Sequence, residues 1–261
     1  MKIIEVVRAL ERFAPLPLQE SFDNAGLQVG LTEAEVSGAL LCLDVTSSIV
    51  DEAVEKGCNL IVSHHPLIFR PLKRVVGADD VQRAVAKAIK HDITILSMHT
   101  NMDNAQGGVN FKMAEKMQLT GVKFFTEKQV DGITCGSGVM GELPGAMVAD
   151  DFIMMLKREF DVECVQCNQL LRRPIRMVAI CGGAGSFLLP EAIAAGADAF
   201  VTGEMHYHDY FAHEQEIQIA VIGHYQSEQY TYEIFKSIIE EQCEGVRCVV
   251  TSQNTNPIIY L

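Results

Sequence analysis

The chain has 261 residues, 48% of them hydrophobic, and a formal net charge of -13 from 34 acidic against 21 basic residues. That length and content predict a globular protein of one large domain or two compact ones, and no apolar run approaches the ~18 residues that span a bilayer. The acidic balance opposes non-specific binding to DNA, RNA or anionic membranes.

Read in chain order, Ile3 to Phe13 is an amphipathic helix with acidic residues and without the uninterrupted apolar core of a signal peptide, so the expected location is the cytoplasm. The polar, glycine-punctuated Phe22-Asp23-Asn24-Ala25-Gly26-Leu27-Gln28-Val29-Gly30 reads locally as a loop. A strand (39 to 43), a helix (47 to 56) started by Thr46-Ser47-Ser48 and stopped by Gly57, and a strand (60 to 63) follow. A helix (80 to 90), a strand (93 to 98) and a helix (109 to 117) complete the first half. The second half predicts a strand near 134 to 140, a helix (149 to 159), strands near 162 to 167 and 176 to 181, a helix (187 to 195) and a strand (199 to 202). A helix near 206 to 213, a strand (217 to 222), a long helix (228 to 242) and a strand (246 to 251) end it. Alternation of strands and helices implies α/β layers with a parallel or mixed sheet in each half.

An internal repeat supports two halves. Cys42 to His65 aligns without gaps on Cys181 to Glu204, with identities at Cys42/Cys181, Ser47/Ser186, Glu52/Glu191, Ala53/Ala192, Gly57/Gly196 and Val62/Val201, and with Asn59 matched to Asp198. Each copy reads strand, helix, glycine, strand, which is the pattern of a duplication, although any two such units share some likeness. The division is placed at 1-128 and 129-261, with a C-terminal segment that can return to the first half.

Two further segments share one grammar. His99-Thr-Asn-Met-Asp103 and His224-Tyr-Gln-Ser-Glu228 each follow an apolar run and put a histidine four residues before a carboxylate. Each histidine would stand at the C-terminal end of a strand, where open α/β sheets place their ligands, with its carboxylate at a helix start, the positive end of the helix dipole. Ser63-His64-His65-Pro66 ends a third apolar run. Adjacent side chains on an extended segment diverge, so His64 and His65 would reach different ions. Imidazoles and carboxylates without thiolate suit two divalent ions among Zn, Mn, Fe, Co and Ni, with a carboxylate able to bridge them. A lone histidine is more often a packed or surface residue, but four of eight placed after apolar runs resist that explanation. His91 fits a helix C-cap, and Glu204 and His206 are pocket candidates, Glu204 because it aligns with His65.

The cysteines are scattered. Cys164-Val-Gln-Cys167 has zinc-ribbon or redox spacing, but without a second such pair a structural role is favoured. Cys181-Gly-Gly-Ala-Gly185-Ser186, between a strand and a helix, offers backbone amides to a phosphate. Tight turning explains it at least as well, since the lysine of a triphosphate-binding loop is missing.

Taken together, Asp23 to Gly30, Ser63-His64-His65-Pro66, His99 to Asp103, Val201-Thr202-Gly203-Glu204 and Gly223 to Glu228 resemble the NIF-three-like family, often labelled GTP cyclohydrolase I type 2 homologues. The motifs occur in order and span nearly the whole chain. The resemblance implies two similar α/β domains related by duplication, with a dinuclear metal centre in the cleft between them. It implies His64, His65, Asp103, His224 and Glu228 as ligands of two divalent ions, Glu228 as the bridge, and His99 nearby. It also implies a homohexamer. The stretch from Asp103 to Gly182 leaves no room for the inserted domain of longer members, so this is a short form. The expected activity is a metal-dependent hydrolysis of a nucleotide-like, phosphorylated substrate, with Glu204, His99 and His206 as candidates for acid-base work. The other reading is a non-catalytic metal-binding or regulatory scaffold with the same ligands. Neither fold nor ligands establishes a substrate.

Overall fold

The computed structural model describes residues 1–261. The chain divides into two compact units, Met1–Ala105 with Thr231–Asn256, and Gln106–Tyr230 with Pro257–Leu261. In chain order the first unit contains α1 (Ile3–Phe13), β1 (Gly26–Val29), β2 (Ala39–Cys42), α2 (Ser47–Glu55), β3 (Leu60–Ser63), α3 (Asp80–Lys90), β4 (Thr94–Ser97) and α4 (Thr100–Asn104). The second contains α5 (Val109–Lys116), β5 (Thr120–Phe124), β6 (Lys128–Val130), β7 (Ile133–Cys135), β8 (Val139–Met147), α6 (Ala149–Glu159), β9 (Gln166–Cys167), β10 (Ile175–Cys181), α7 (Leu189–Ala194), β11 (Ala199–Thr202), β12 (Gln218–Val221) and α8 (His224–Glu228). The chain then returns to the first unit with α9 (Thr231–Gln242) and β13 (Cys248–Val250).

The first unit's sheet has the order β1-β4-β3-β2-β13. Its strands are parallel except the edge strand β1, which runs antiparallel to β4. Every residue of β2, β3 and β4 is buried, the continuous apolar pattern of parallel strands covered on both faces. Ile49, Val50 and Ala53 of α2 and Ala84, Val85 and Ala88 of α3 share one core with Leu40, Ile61 and Ile95 of the sheet. Both helices begin on a side-chain cap: Thr46 accepts from the Ile49 amide and Asp79 from the Gln82 amide, each satisfying an amide without an intrahelical partner.

The second unit's sheet runs β5-β8-β10-β11-β12-β9. β10, β11 and β12 are parallel and flanked by antiparallel strands. Its central strands bury Val178, Ile180, Ala199, Val201 and Ala220 together with Phe152, Leu156 and Phe160, and the other side of the sheet packs Ala179, Phe200 and Ile219 under Leu188, Leu189 and Ala192.

The register identifies the repeat in three dimensions. Cys42 pairs with Ser63 across β2 and β3, and Cys181 pairs with Thr202 across β10 and β11, so the aligned positions are also the paired ones. Gly57 and Gly196 both stop their helices in the left-handed region, at φ of 64° and 79°, where glycine avoids the Cβ penalty. Asn59 accepts a hydrogen bond from the Ser37 amide at 2.9 Å, and its counterpart Asp198 accepts from the Arg176 amide at 2.9 Å. The two halves are duplicated α/β units.

Several elements differ from the sequence expectation. The first unit ends at Ala105 rather than near 128, because Met113, Ala114, Met117, Leu119 and Phe124 join the second unit's core. The return of the C-terminal segment to the first half, by contrast, is as expected: α9 and β13 belong to the first unit, where β13 pairs parallel with β2. The region 120 to 130 carries strands β5 and β6, which polar residues on their exposed faces concealed. The helix expected near 206 to 213 is a single 3-10 turn, Tyr207–Tyr210, and the long helix from 228 is divided into α8 and α9.

Candidate metal centre

In the first unit the site grows from the C-terminal ends of neighbouring strands. Ser63, the last residue of β3, pairs with Ser97, the last of β4, and their hydroxyl oxygens meet at 2.8 Å. Two residues beyond each strand end come His65 and His99. The chain bends at His64 and His65, whose amides both donate to the Leu43 carbonyl, at 3.1 and 3.0 Å. The two rings therefore lie together, with centroids 4.9 Å apart, instead of diverging as on an extended strand. His99 stands edge-on to both, at 5.2 and 5.4 Å. One nitrogen from each of His64, His65 and His99 lies within 4.8 Å of the others. Asp103, inside the short α4, brings its carboxylate to 3.6 Å from His64 Nε2.

Each ring is oriented by an acceptor behind it. His64 Nδ1 is 2.9 Å from the Met98 carbonyl, His65 Nδ1 2.7 Å from Asp44 Oδ1, and His99 Nδ1 2.7 Å from Asp23 Oδ1. A carbonyl or carboxylate only accepts, so each Nδ1 carries the proton and Nε2 is the nitrogen with a lone pair to offer. Burial opposes the charge on Asp23, but hydrogen bonds from His99 and Thr100 outweigh it and hold the carboxyl down to about 2. Asp44, also desolvated, is likewise held below its ordinary value by His65 and Thr255.

The loop motif around Asp23 thereby acquires its purpose. Asp23 grips His99 and accepts from the Thr100 amide at 3.0 Å, while Asn24 Nδ2 donates to the Ile68 carbonyl at 2.6 Å and Gln28 Oε1 accepts from the Ile68 amide at 3.1 Å.

The second unit repeats the arrangement at β11 and β12. The amides of Gly203 and Glu204, just past β11, both donate to the Gly183 carbonyl, at 3.0 and 2.9 Å. His224 opens α8 beyond β12. Its Nδ1 is 2.7 Å from Glu204 Oε1 and its Nε2 3.1 Å from Glu228 Oε2, so Glu204 takes the orienting place that Asp44 and Asp23 hold in the first unit. Glu228 is buried and ends α8 rather than starting a helix. Its position comes from the i, i+4 spacing to His224 on one helix face and not from a helix dipole. Gly183 makes room for it: with φ at 57°, a Cβ there would collide with Glu228 Oε1. The side chains of Cys164, Ser186, Glu204, His206, His224 and Tyr260 line a cavity of about 350 Å³.

The glycine-containing turn after β10 spends its amides internally. Gly182 donates to Asn110 Oδ1 at 2.8 Å, Gly183 to Ser227 Oγ at 3.0 Å and Gly185 to Thr202 Oγ1 at 3.2 Å. These bonds secure a tight turn and leave those three amides committed rather than presented to a phosphate. Cys164 and Cys167 are both exposed and all eight cysteines are free thiols.

Imidazole nitrogens and carboxylate oxygens, without a thiolate among them, suit a divalent transition-metal ion, and the acceptors behind the histidines are the outer partners such ligands ordinarily have. A family model, Duf34/NIF3 (NGG1p interacting factor 3), matches residues 1–257. The chain belongs to the Duf34/NIF3 family. Among family relatives, the "GTP cyclohydrolase 1 type 2 homolog" of Clostridium perfringens is 31% identical over 265 residues, covering 100% of both chains. A crystal structure of the Staphylococcus aureus hypothetical protein SA1388 superposes with a TM-score of 0.91 at 29% identity, covering 100% of this chain and 99% of that one. A Bacillus cereus protein related to NIF3 shares the fold, with a TM-score of 0.90 at 24% identity and the same coverage. No helix of this Duf34/NIF3 chain is long and apolar enough to cross a membrane.

Asp44 was the site residue that sequence reasoning missed. It follows β2 rather than a histidine-bearing strand, and its only signal is an acidic residue immediately after an apolar run.

Proposed function

We propose that the chain is a dinuclear-metal-dependent hydrolase acting on a nucleotide-like, phosphorylated substrate. The observation that carries this reading is the set of four histidines, two after β3, one after β4 and one after β12, each with Nδ1 bound to an acceptor, which leaves Nε2 as the nitrogen able to meet an ion or a proton. His64, His65, Asp103, His224 and Glu228 would hold the ions, with Glu228 as the shared ligand. Two divalent ions bound there would bring water within reach of deprotonation near neutral pH and offset negative charge as it develops.

The chain's own residues supply the rest. Asp44 and Glu204 keep His65 and His224 in the tautomer that offers Nε2 to an ion, and Asp23 orients His99 in the same way. Because Glu204 is committed to His224, acid-base work falls to His99 and His206; His99, with Nδ1 against Asp23, can exchange a proton through Nε2. The cavity beside His224 would take the reacting end of the substrate. The name carried by the relatives makes GTP the first candidate, with hydrolytic opening of the guanine ring at C8 and release of formate. The same reading assigns the assembled protein as a homohexamer.

The test is the metal content of untagged protein beside Glu228→Ala, followed by GTP turnover. About two transition-metal ions per chain, reduced in the variant together with turnover, are expected. A wild type that binds none after reconstitution with Zn, Mn, Fe, Co or Ni removes the reading, and one that binds metal but turns over no nucleotide favours the scaffold function.

A further inference from the structure

The chain is strongly acidic, yet the segment that follows the paired histidines is the reverse. Pro66 to Ala78 contains Arg70, Lys73 and Arg74 and no acidic residue. All three cations are exposed, and none of them takes part in an ion pair or a side-chain hydrogen bond with the rest of the chain, although 34 carboxylates are available to pair with. Three uncompensated cations within five residues of an acidic protein repel one another, and a bound anion would relieve that repulsion.

Their placement is built. Phe69 sets its ring perpendicular to His99, with centroids 6.1 Å apart, so Arg70 is one residue from a direct contact with the histidine cluster. Lys73 and Arg74 follow within a span of about 14 Å even if the backbone is fully extended. The segment is anchored just before these residues by Asn24 and Gln28, which take both backbone groups of Ile68. Leu67 is buried, and Ile68 and Leu72 pack against the first unit's core on either side of Phe69 and Arg70. Pro66 and Pro71 restrict the backbone further. A cationic segment held in this way spends little of its binding energy on ordering. The glycine turn of the second unit, by contrast, has its amides committed to Asn110, Ser227 and Thr202, and no lysine or arginine lines the cavity beside His224.

We propose that Arg70, Lys73 and Arg74 form the phosphate-binding segment of this protein, holding the phosphate chain of a small phosphorylated ligand while its other end lies at the histidine cluster. The assignment rests on the hydrolase reading for what the ligand's other end does, and on the first unit alone for the anion site. The arginines supply forked donors to phosphate oxygens and Lys73 a point charge. A phosphorylated small molecule fits better than a nucleic acid strand, because three cations form a local spot and not a track, and the net charge of -13 opposes a polyanion of any length.

The experiment is titration calorimetry of metal-loaded protein with tripolyphosphate, GTP and guanosine, for wild type and for Arg70→Ala/Lys73→Ala/Arg74→Ala, with metal content measured on each sample. The triple variant is expected to bind tripolyphosphate and GTP roughly tenfold more weakly or worse, to leave guanosine affinity unchanged, to keep its metal, and to show a shallower salt dependence. Lys90→Ala, at the far end of α3 from this segment, is expected to bind as wild type does. Equal affinity of wild type and triple variant for tripolyphosphate would overturn the assignment, as would a short single-stranded oligonucleotide bound more tightly than GTP. Should neither protein hold metal while the triple variant still loses tripolyphosphate, the anion site stands and the hydrolase reading falls.

Discussion

Glu204 accepts a hydrogen bond from His224 Nδ1 at 2.7 Å, the same distance at which Asp44 holds His65 and Asp23 holds His99. Three carboxylates from separate parts of the chain thus perform one task in two units. The charge each carries strengthens its hydrogen bond and raises the basicity of the nitrogen on the far side of the ring.

Removing these acceptors singly is expected to weaken metal binding without unfolding the protein. Asp44→Asn, Asp23→Asn and Glu204→Gln keep the size of the side chain but replace the charged acceptor. Losses in metal affinity of roughly 10- to 100-fold are expected, read by competition with a chromogenic chelator. Unchanged affinity in all three would mean that the rings are positioned by packing alone.

Gly183→Ala tests how Glu228 is seated. The added Cβ meets the Glu228 carboxylate, and the left-handed backbone at 57° penalises any side chain there. A stability loss of about 1–2 kcal/mol from the backbone is expected in thermal unfolding, together with weaker metal binding as Glu228 is displaced. Wild-type metal affinity in this variant would show that Glu228 has room to move without consequence.

Gln28→Ala removes the acceptor for the Ile68 amide. Loss of about 1 kcal/mol of local stability should appear as faster hydrogen exchange in the segment after His65, with exchange in β2 and β3 unaltered. Equal protection in variant and wild type would mean that Asn24 and the packing of Leu67 and Leu72 anchor the segment without Gln28.

Asp198 supplies a pH dependence remote from the histidines. Burial opposes its ionisation, but the Met177 and Arg176 amides and the Arg173 guanidinium hold its carboxyl below the ordinary 3.8. A folded value lower than the unfolded one means that the stabilisation is present above the ordinary value and is lost as pH falls through the folded value. Asp198→Asn is expected to lower the melting temperature near pH 7 and to flatten its decline as pH falls below the ordinary carboxylate value of 3.8. A parallel decline in both proteins would assign the acid sensitivity elsewhere.

What was legible in the sequence was local or repeated. The apolar runs of β2, β3 and β4, the Thr46 start and Gly57 stop of α2, and the match of Cys42 to His65 with Cys181 to Glu204 follow from periodicity, capping and glycine chemistry. These act over a few residues and leave a mark on composition. His64, His65, His99 and His224 were recognisable for the same reason, each standing just beyond a strand. Only the tertiary structure decided which acceptor each histidine would take. Asp23 is 76 positions from His99 and Asp44 is 21 from His65, and hydrogen bonds across such separations are set by strand pairing, antiparallel for β1 with β4 and parallel for β2 with β3, which no local pattern encodes. The return of α9 and β13 to the first unit has the same origin: β13 completes a sheet begun more than 200 residues earlier, and its three residues, Cys248 to Val250, acquire a partner only when β2 presents its edge.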